Sequence, residues 1–341
     1  MSIVTACGQR ARPGNCVTGA CGLVFAALFA GVIADACAQR AITPFPEKPL
    51  RMIVPFPPGG GNDIIGRATA QRLSEVIGQQ VVVDNRPGGG GATGVAIAAQ
   101  AIADGYTMLL GSVGMLAHNP ALKRDIGYDP VRDFAPVTLL ATSPMVLAAH
   151  PSLPIRSVAD LIAFARANPG KLTYASGGTG SSLHMTAELF RNATGTDLLH
   201  VPYKGAAPAF VDLVGGRVDL IFSTISPALP HVRSGKLRAL AVSTRTRSAA
   251  LPDVPPIADT VKGFEVANWQ GIVVPAKTPA VIVKKLHADL VTTMNSPAMA
   301  DTLMQQGLEA AVGTPEQFGA LIRTELATYA KLVKAAGIKA D

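Results

Sequence analysis

Apolar residues follow two rhythms along this chain. Short, mainly apolar stretches at 50–54, 80–84 and 107–110 read as buried strands. Between them, apolar residues recur every three or four positions. In 63–77, Ile64, Ile65, Ala68, Leu73, Val76 and Ile77 fall largely on one side, and Gly78 stops the helix. A long Gly loop (85–94) leads into an Ala-rich helix over 94–102. A turn (103–106) precedes the third strand, and residues 111–114 close it as a small-residue loop. The same alternation returns further on. Two apolar strands, 137–140 and 145–149, flank Ser143-Pro144. A helix starts at the cap Ser157, with Asp160 three residues on, and ends at Asn168-Pro-Gly170. Strands are expected at 171–175, 200–202, 217–222 and 237–242, and helices at 182–194, 207–214 and 227–233. An extended Pro-rich connection (252–256) leads to a returning strand at 269–275. One C-terminal helix starts at Thr278-Pro279. The next starts at Thr314-Pro-Glu-Gln317, a capping box with Pro in first position. Strands and helices in alternation argue for α/β layers with a largely parallel sheet.

Composition narrows the class. With 341 residues, 48% hydrophobic and 16% charged, the chain can bury two cores and is not a disordered segment. Only 5% is aromatic and no Lys/Arg cluster occurs, which excludes a nucleic-acid stacking platform. The net charge of +7 is spread out, suited to steering small anions or simply to solubility.

The first 38 residues read as a secretory signal. Arg10 and Arg12 supply the basic part, 17–34 is apolar, and Ala36-Cys37-Ala38 resembles a cleavage site. Cleavage would start the mature chain at Gln39 and leave a net charge of +6. A retained membrane anchor, or lipid attachment at Cys37, are the alternatives; Asp35 fits the latter poorly. Cys7, Cys16, Cys21 and Cys37 all lie in this segment, so a cleaved chain would have no disulfide, Cys-ligated metal or Cys nucleophile.

The candidate chemistry sits at two strand–loop–helix junctions. In Arg51-Met-Ile-Val-Pro-Phe-Pro-Pro-Gly-Gly-Gly-Asn-Asp63 the prolines fix φ and the glycines let N–H groups turn inward. A helix opening at Asn62 or Asp63 then favours an anion. Tyr174-Ala-Ser-Gly-Gly-Thr-Gly-Ser181 lacks a Gly-Lys-Ser/Thr ending, yet its N–H groups and the hydroxyls of Ser176, Thr179 and Ser181 can hold a carboxylate. A purely structural turn is the other reading. Asp63 fits a first-turn acid, a loop-orienting group, or an acceptor for an amine or water of a ligand. Gly89-Gly-Gly-Ala-Thr-Gly94 matches a dinucleotide pattern only formally, because Arg86-Pro87 intervenes after the strand. A flexible loop closing over the sheet is expected there, and no cofactor. His184 and Glu188 are four residues apart on a helix without an evident third ligand, so packing is favoured over metal. No G-x-S-x-G elbow occurs, and Ser112, His118 and Asp125 are only sequence neighbours.

Taken together, several segments resemble the Bug-type solute receptors of tripartite tricarboxylate transporters. They are the 55–63 junction, Asp84-Asn-Arg-Pro-Gly-Gly-Gly-Gly91, Asp104-Gly-Tyr-Thr107, Asn119-Pro120 and Tyr128-Asp-Pro-Val-Arg-Asp-Phe134. The Ser/Gly loop with His184, His200-Val-Pro-Tyr-Lys-Gly205, Leu251-Pro-Asp-Val-Pro255 and Trp269-Gln-Gly271 complete the set. The resemblance covers about 42–340. It departs from the family pattern at Gly66, Ala103 and Asp259, where Ala, Pro and Glu are usual.

The resemblance implies a two-domain periplasmic binding protein of the type II-like α/β kind. Each domain would be a mainly parallel sheet flanked by helices, with the ligand cleft between them. The expected division is 1–38 signal, 42–142 with 268–341 as one domain, and 143–267 as the other. It further implies that Phe56, Pro57, Gly59, Gly60 and Asp63 face Ser176, Gly177, Gly178, Thr179, Gly180, Ser181 and His184 across a bound carboxylate. Gly111, Ser112, Tyr203, Gly205, Ser223 and Thr224 would be further wall candidates. The expected role is a monomeric, non-enzymatic periplasmic receptor delivering a small carboxylate, an organic acid or amino acid, to membrane permease subunits. A carboxylate sensor for a signalling partner, or a secreted hydrolase or isomerase, are the rival functions. Two helix N-termini supply at most about 4 kcal/mol. Micromolar binding needs about 8 kcal/mol. Closure and desolvated hydrogen bonds must add the rest.

Overall fold

The first apolar run becomes β1 (Leu50–Val54), four of whose five residues are buried. In the computed structural model, which describes residues 45–123 and 125–338, β1 pairs parallel with β2 (Val81–Asn85) and β3 (Thr107–Ser112). Parallel neighbours require crossovers, supplied here by the helices α1 (Gly61–Ile77) and α2 (Ala92–Ala99). The expected signal sequence, its cleavage site and all four cysteines lie outside the described residues.

α1 begins ahead of Asn62 because Gly60 (φ −83°, ψ 165°) is its N-cap. After β3 the expected small-residue loop is instead a π-helical turn (Gly114–His118) running into the short helix α3 (Asn119–Leu122). Every residue of that turn is buried, so packing decides a conformation that local residue preferences do not signal.

The two strands expected around Ser143-Pro144 are one, β4 (Phe134–Ala149). Its first part pairs antiparallel with β9 (Ala267–Pro275), which also pairs antiparallel with β3. From Met145 onward β4 pairs instead with β7 (Leu220–Thr224) and β8 (Arg238–Val242). Pro144 lies at the changeover, opposite Ala267. A residue without an N–H fits where one ladder ends and another begins. Beyond β7 come β5 (Thr173–Ser176) and β6 (Leu199–Pro202), both parallel. The parallel character thus belongs to β2-β1-β3 and to β6-β5-β7, while the crossing strands β4 and β9 are antiparallel.

Four helices serve the second set of strands: α4 (Val158–Ala167), α5 (Ser182–Thr194), α6 (Ala206–Val214) and α7 (Ile225–Arg233). Ser157 caps α4 as expected, but the Asp160 carboxylate reaches back to the Arg156 N–H instead of closing the box. At the C-terminal side, α8 (Ala280–Met294) packs on α1 and β4. α9 (Pro297–Gln305) follows, with Ser296 as its cap. The short β10 (Glu309–Ala310) adds to β4. α10 (Pro315–Ala336) opens with the complete Thr314/Gln317 capping box.

Two of the hydrophobic clusters flank α5. One is built wholly from residues between Met145 and Val266. The other gathers Ile53, Phe56, Leu109 and Leu116 with Trp269, Phe318 and Tyr329. Met185 of α5 belongs to this second core, so α5 packs against both. Ser243 clips the two chain crossings together. Its backbone N–H and Oγ meet the Met145 carbonyl and N–H at 2.8 and 2.9 Å, and its Oγ and carbonyl meet Val266.

Candidate functional site

The two junctions singled out in the sequence face each other across a cavity. Phe56, Gly60, Gly61 and Asn62 form one wall; Gly177, Ser181, Ser182 and Leu183 form the opposite one. Ala206, Thr224 and Asn268 complete the lining, and the enclosed volume is about 30 Å³. That is room for about two water molecules. Among the described residues lining it, none is charged.

The wall chemistry comes from helix ends. The leading N–H groups of α1 have no intrahelical acceptor, and Gly60 supplies no side-chain cap. The N-terminus of α5 is capped: Ser181 Oγ accepts from the His184 N–H at 3.3 Å. Both junctions therefore present main-chain donors and a favourable helix field to one small space.

The walls touch. A Cβ on Gly61 would lie 2.3 Å from Thr224 Oγ1, and one on Gly90 would lie 2.5 Å from the Thr179 carbonyl oxygen. The Gly-rich stretch after β2 is a 3-10 turn (Gly89–Gly91) lodged against the second junction. Asn119 Nδ2 donates to the Gly89 carbonyl at 3.1 Å and fixes it there.

Of the sequence candidates, Phe56, Gly60, Gly177, Ser181 and Thr224 line the cavity. The others stand behind these. The Asp63 carboxylate is occupied by the Gly59 N–H, Arg67 and Asn85, each at 2.9 Å, so it orients the first loop. Burial alone would raise the Asp63 carboxyl, but the bonds from Arg67, Gly59 and Asn85 hold it below its ordinary value. Pro57 abuts Gly205: a Cβ there would lie 2.5 Å from the proline ring. Ser176 Oγ bonds His200 Nε2 at 2.6 Å and accepts from the Gly178 N–H at 3.1 Å. His184 Nδ1 accepts from the Gly180 N–H, and its ring lies 4.4 Å from that of His200. Thr179 contributes its carbonyl to the contact with Gly90. Tyr203 sends its hydroxyl to Asp212 at 2.7 Å. Gly111 and Ser112 lie within β3, paired with Gly271 and Gln270, and Ser223 pairs with Val146. These last three are not among the residues that line the cavity.

Gly61 and Asn62 line the cavity from within the 55–63 junction, and Ser182, Leu183, Ala206 and Asn268 line it without having been singled out. All but Asn268 sit in the first helical turns after the junction loops. The expected start of α5 at 182 already implied the Ser181 cap, and the first turn after it supplies Ser182 and Leu183. Asn268 carried no local signal, because it reaches the cavity from a strand more than 80 residues further on.

The chain is similar to known proteins over most of its length. BugT of Bordetella pertussis is 37% identical over 312 residues, 91% of this chain and 94% of its own. Among solved structures, the periplasmic binding protein BugD is 34% identical with a TM-score of 0.84, over 86% of this chain and 99% of its own. The R. palustris protein Rpa4515, solved with adipate, is 38% identical with a TM-score of 0.84 over 86% and 99%. MatC from Rhodopseudomonas palustris, solved with malate, is 29% identical with a TM-score of 0.81 over 85% and 100%. No helix among the described residues is long and apolar enough to cross a membrane. The family model described as tripartite tricarboxylate transporter family receptor matches residues 65–338, and the chain belongs to that family.

Proposed function

We propose that this protein captures a small carboxylate between the α1 and α5 junctions, in the periplasm, and delivers it to the permease subunits of a tripartite tricarboxylate transporter. The observation that carries this reading is a cavity bounded by two helix N-termini and, among the described residues, lined by no charged side chain. Main-chain N–H groups in a desolvated site bind an anion without an arginine clamp. The relatives solved with adipate and malate support the ligand class. The secretory signal read in residues 1–38 supports the location.

The cavity is too small for a four-carbon acid with the walls as they touch, so the ligand enters as they part. We take 42–142 with 268–341, and 143–267, as two domains that move about the crossings clipped by Ser243. Binding is the activity, and catalysis is not. The Ser176–His200 pair beside the second junction is not used as nucleophile and base: Ser176 is fully buried, already accepts from Gly178, and stands behind the wall. A monomer suffices, since both walls come from one chain.

A thermal-shift screen of organic acids and amino acids tests the reading. At least one carboxylate is expected to raise the melting point in a concentration-dependent way. A rise with uncharged compounds only would overturn it.

A further inference from the structure

Asn268 lines the cavity from outside both junctions, and its polar atoms are idle among the described residues. It is 1% exposed, and neither its Nδ2 nor its Oδ1 has a partner among the described residues. Buried amides are ordinarily satisfied, so a buried amide on a ligand cavity with both ends unspent points to a ligand group. Its surroundings repeat the pattern. Gln270, two residues on and on the same face of β9, is 1% exposed with both amide atoms unpartnered. Ser143, directly opposite Asn268 on β4, is 3% exposed with its Oγ unpartnered. Trp269, on the other face, packs against Phe318 instead.

We infer that Asn268 is a specificity determinant that reads a second oxygen function on the bound acid; this rests on the carboxylate reading above. The first carboxylate takes the main-chain donors of α1 and α5. The far end of the ligand then meets Asn268, with Thr224 in the same lining. An amide offers one donor pair and one acceptor, with no formal charge. It rewards a hydroxyl, a carbonyl or a second carboxyl, and gives nothing to a methyl or methylene. An alkyl end would in addition leave the amide buried and unpaired, and sites built to hydrogen-bond a group reject analogues lacking it most strongly. The preferred class is therefore hydroxy, oxo or dicarboxylic acids, against unsubstituted monoacids of equal length.

Matched acids test this by calorimetric titration of the whole protein: butanoate, 4-hydroxybutanoate and succinate, then hexanoate and adipate. The wild type is expected to bind an oxygen-bearing member at least tenfold more tightly than its alkyl partner. Asn268→Leu should shrink that ratio below threefold while leaving monoacid affinity equal or higher, which also certifies its fold. Asn268→Asp is isosteric and serves as a second variant. At pH 7.5 it should weaken the diacids at least tenfold and spare 4-hydroxybutanoate. Equal binding of matched acids by the wild type, or an unchanged ratio in Asn268→Leu, would overturn the assignment while leaving carboxylate capture standing. Failure to bind any carboxylate would overturn both.

Discussion

The two helix N-termini that meet at the cavity are not equivalent. α1 starts from Gly60, which has no side chain, so its leading N–H groups are unspent. α5 starts from Ser181, whose hydroxyl oxygen already accepts from the His184 N–H. The first end is arranged to bind, at a cost in helix stability. The second is arranged to hold its shape, and its remaining donors are its hydroxyls and the first two helical N–H groups. The supports differ as well. A carboxylate, Asp63, braces the first loop. Imidazoles brace the second, through His184, His200 and Ser176. Affinity should therefore depend most on α1.

The largest effect is expected where the walls touch. Gly61→Val drives a side chain into Thr224 and should lower carboxylate affinity about 100-fold, some 2.7 kcal/mol, by titration calorimetry. Circular dichroism should find the fold intact. Gly60 makes a sharper test of the asymmetry. Its φ is ordinary and a Cβ there meets nothing closer than 3.8 Å, so the backbone accepts a side chain. Gly60→Asp would cap α1 and place a negative charge where the ligand's is expected. Affinity should fall at least about tenfold while the unfolding free energy rises by a few tenths of a kcal/mol. Equal affinity in this variant would mean that α1 is not the binding end.

Acid should act next. His118 lies in the turn (Gly114–His118) packed against α5, fully buried, its ring 3.9 Å from that of Tyr329. Burial, then the proximity of His184, depress its pKa from 6.5 to about 3. The unfolded chain thus binds a proton below pH 6.5 that the folded one refuses. Stability should fall as pH drops from 6.5 towards 3, by about 1.4 kcal/mol per pH unit for this one group. His118→Phe should flatten that slope in denaturant titrations at pH 7.5, 6 and 5. Asp63 acts later and with the same sign. Its depressed carboxyl stabilises the fold above its ordinary pKa, and that contribution is lost as pH falls through the lower folded value. The smallest effect is expected from Ser181→Ala. It removes the α5 cap and should cost about 1 kcal/mol of stability, with affinity changed only a few-fold.

Much of this was legible because it is local. The boundaries of α5, the cap at Ser157, the capping box at Thr314 and the loop–helix junctions follow from near neighbours in sequence. The misreadings are non-local. Ser143-Pro144 looked like a break between two strands, yet β4 runs through it because the ladder changes partner there. The π-helical turn before α3 is set by its burial. The side chains of Asp63, Ser176 and His184 have hydrogen-bond partners within the protein, which fits the loop-orienting alternative for Asp63 and the packing alternative for His184.

By itself the sequence determined the two anion-favouring junctions, because prolines, glycines and small hydroxyl residues set backbone shape within a few residues. Only the tertiary structure decided which groups share the cavity: that Gly61 meets Thr224, and that Asn268 arrives from β9 to stand beside them. Contacts between segments far apart in the chain depend on how strands register and cross. That is a property of the packed whole, which no short stretch of residues encodes.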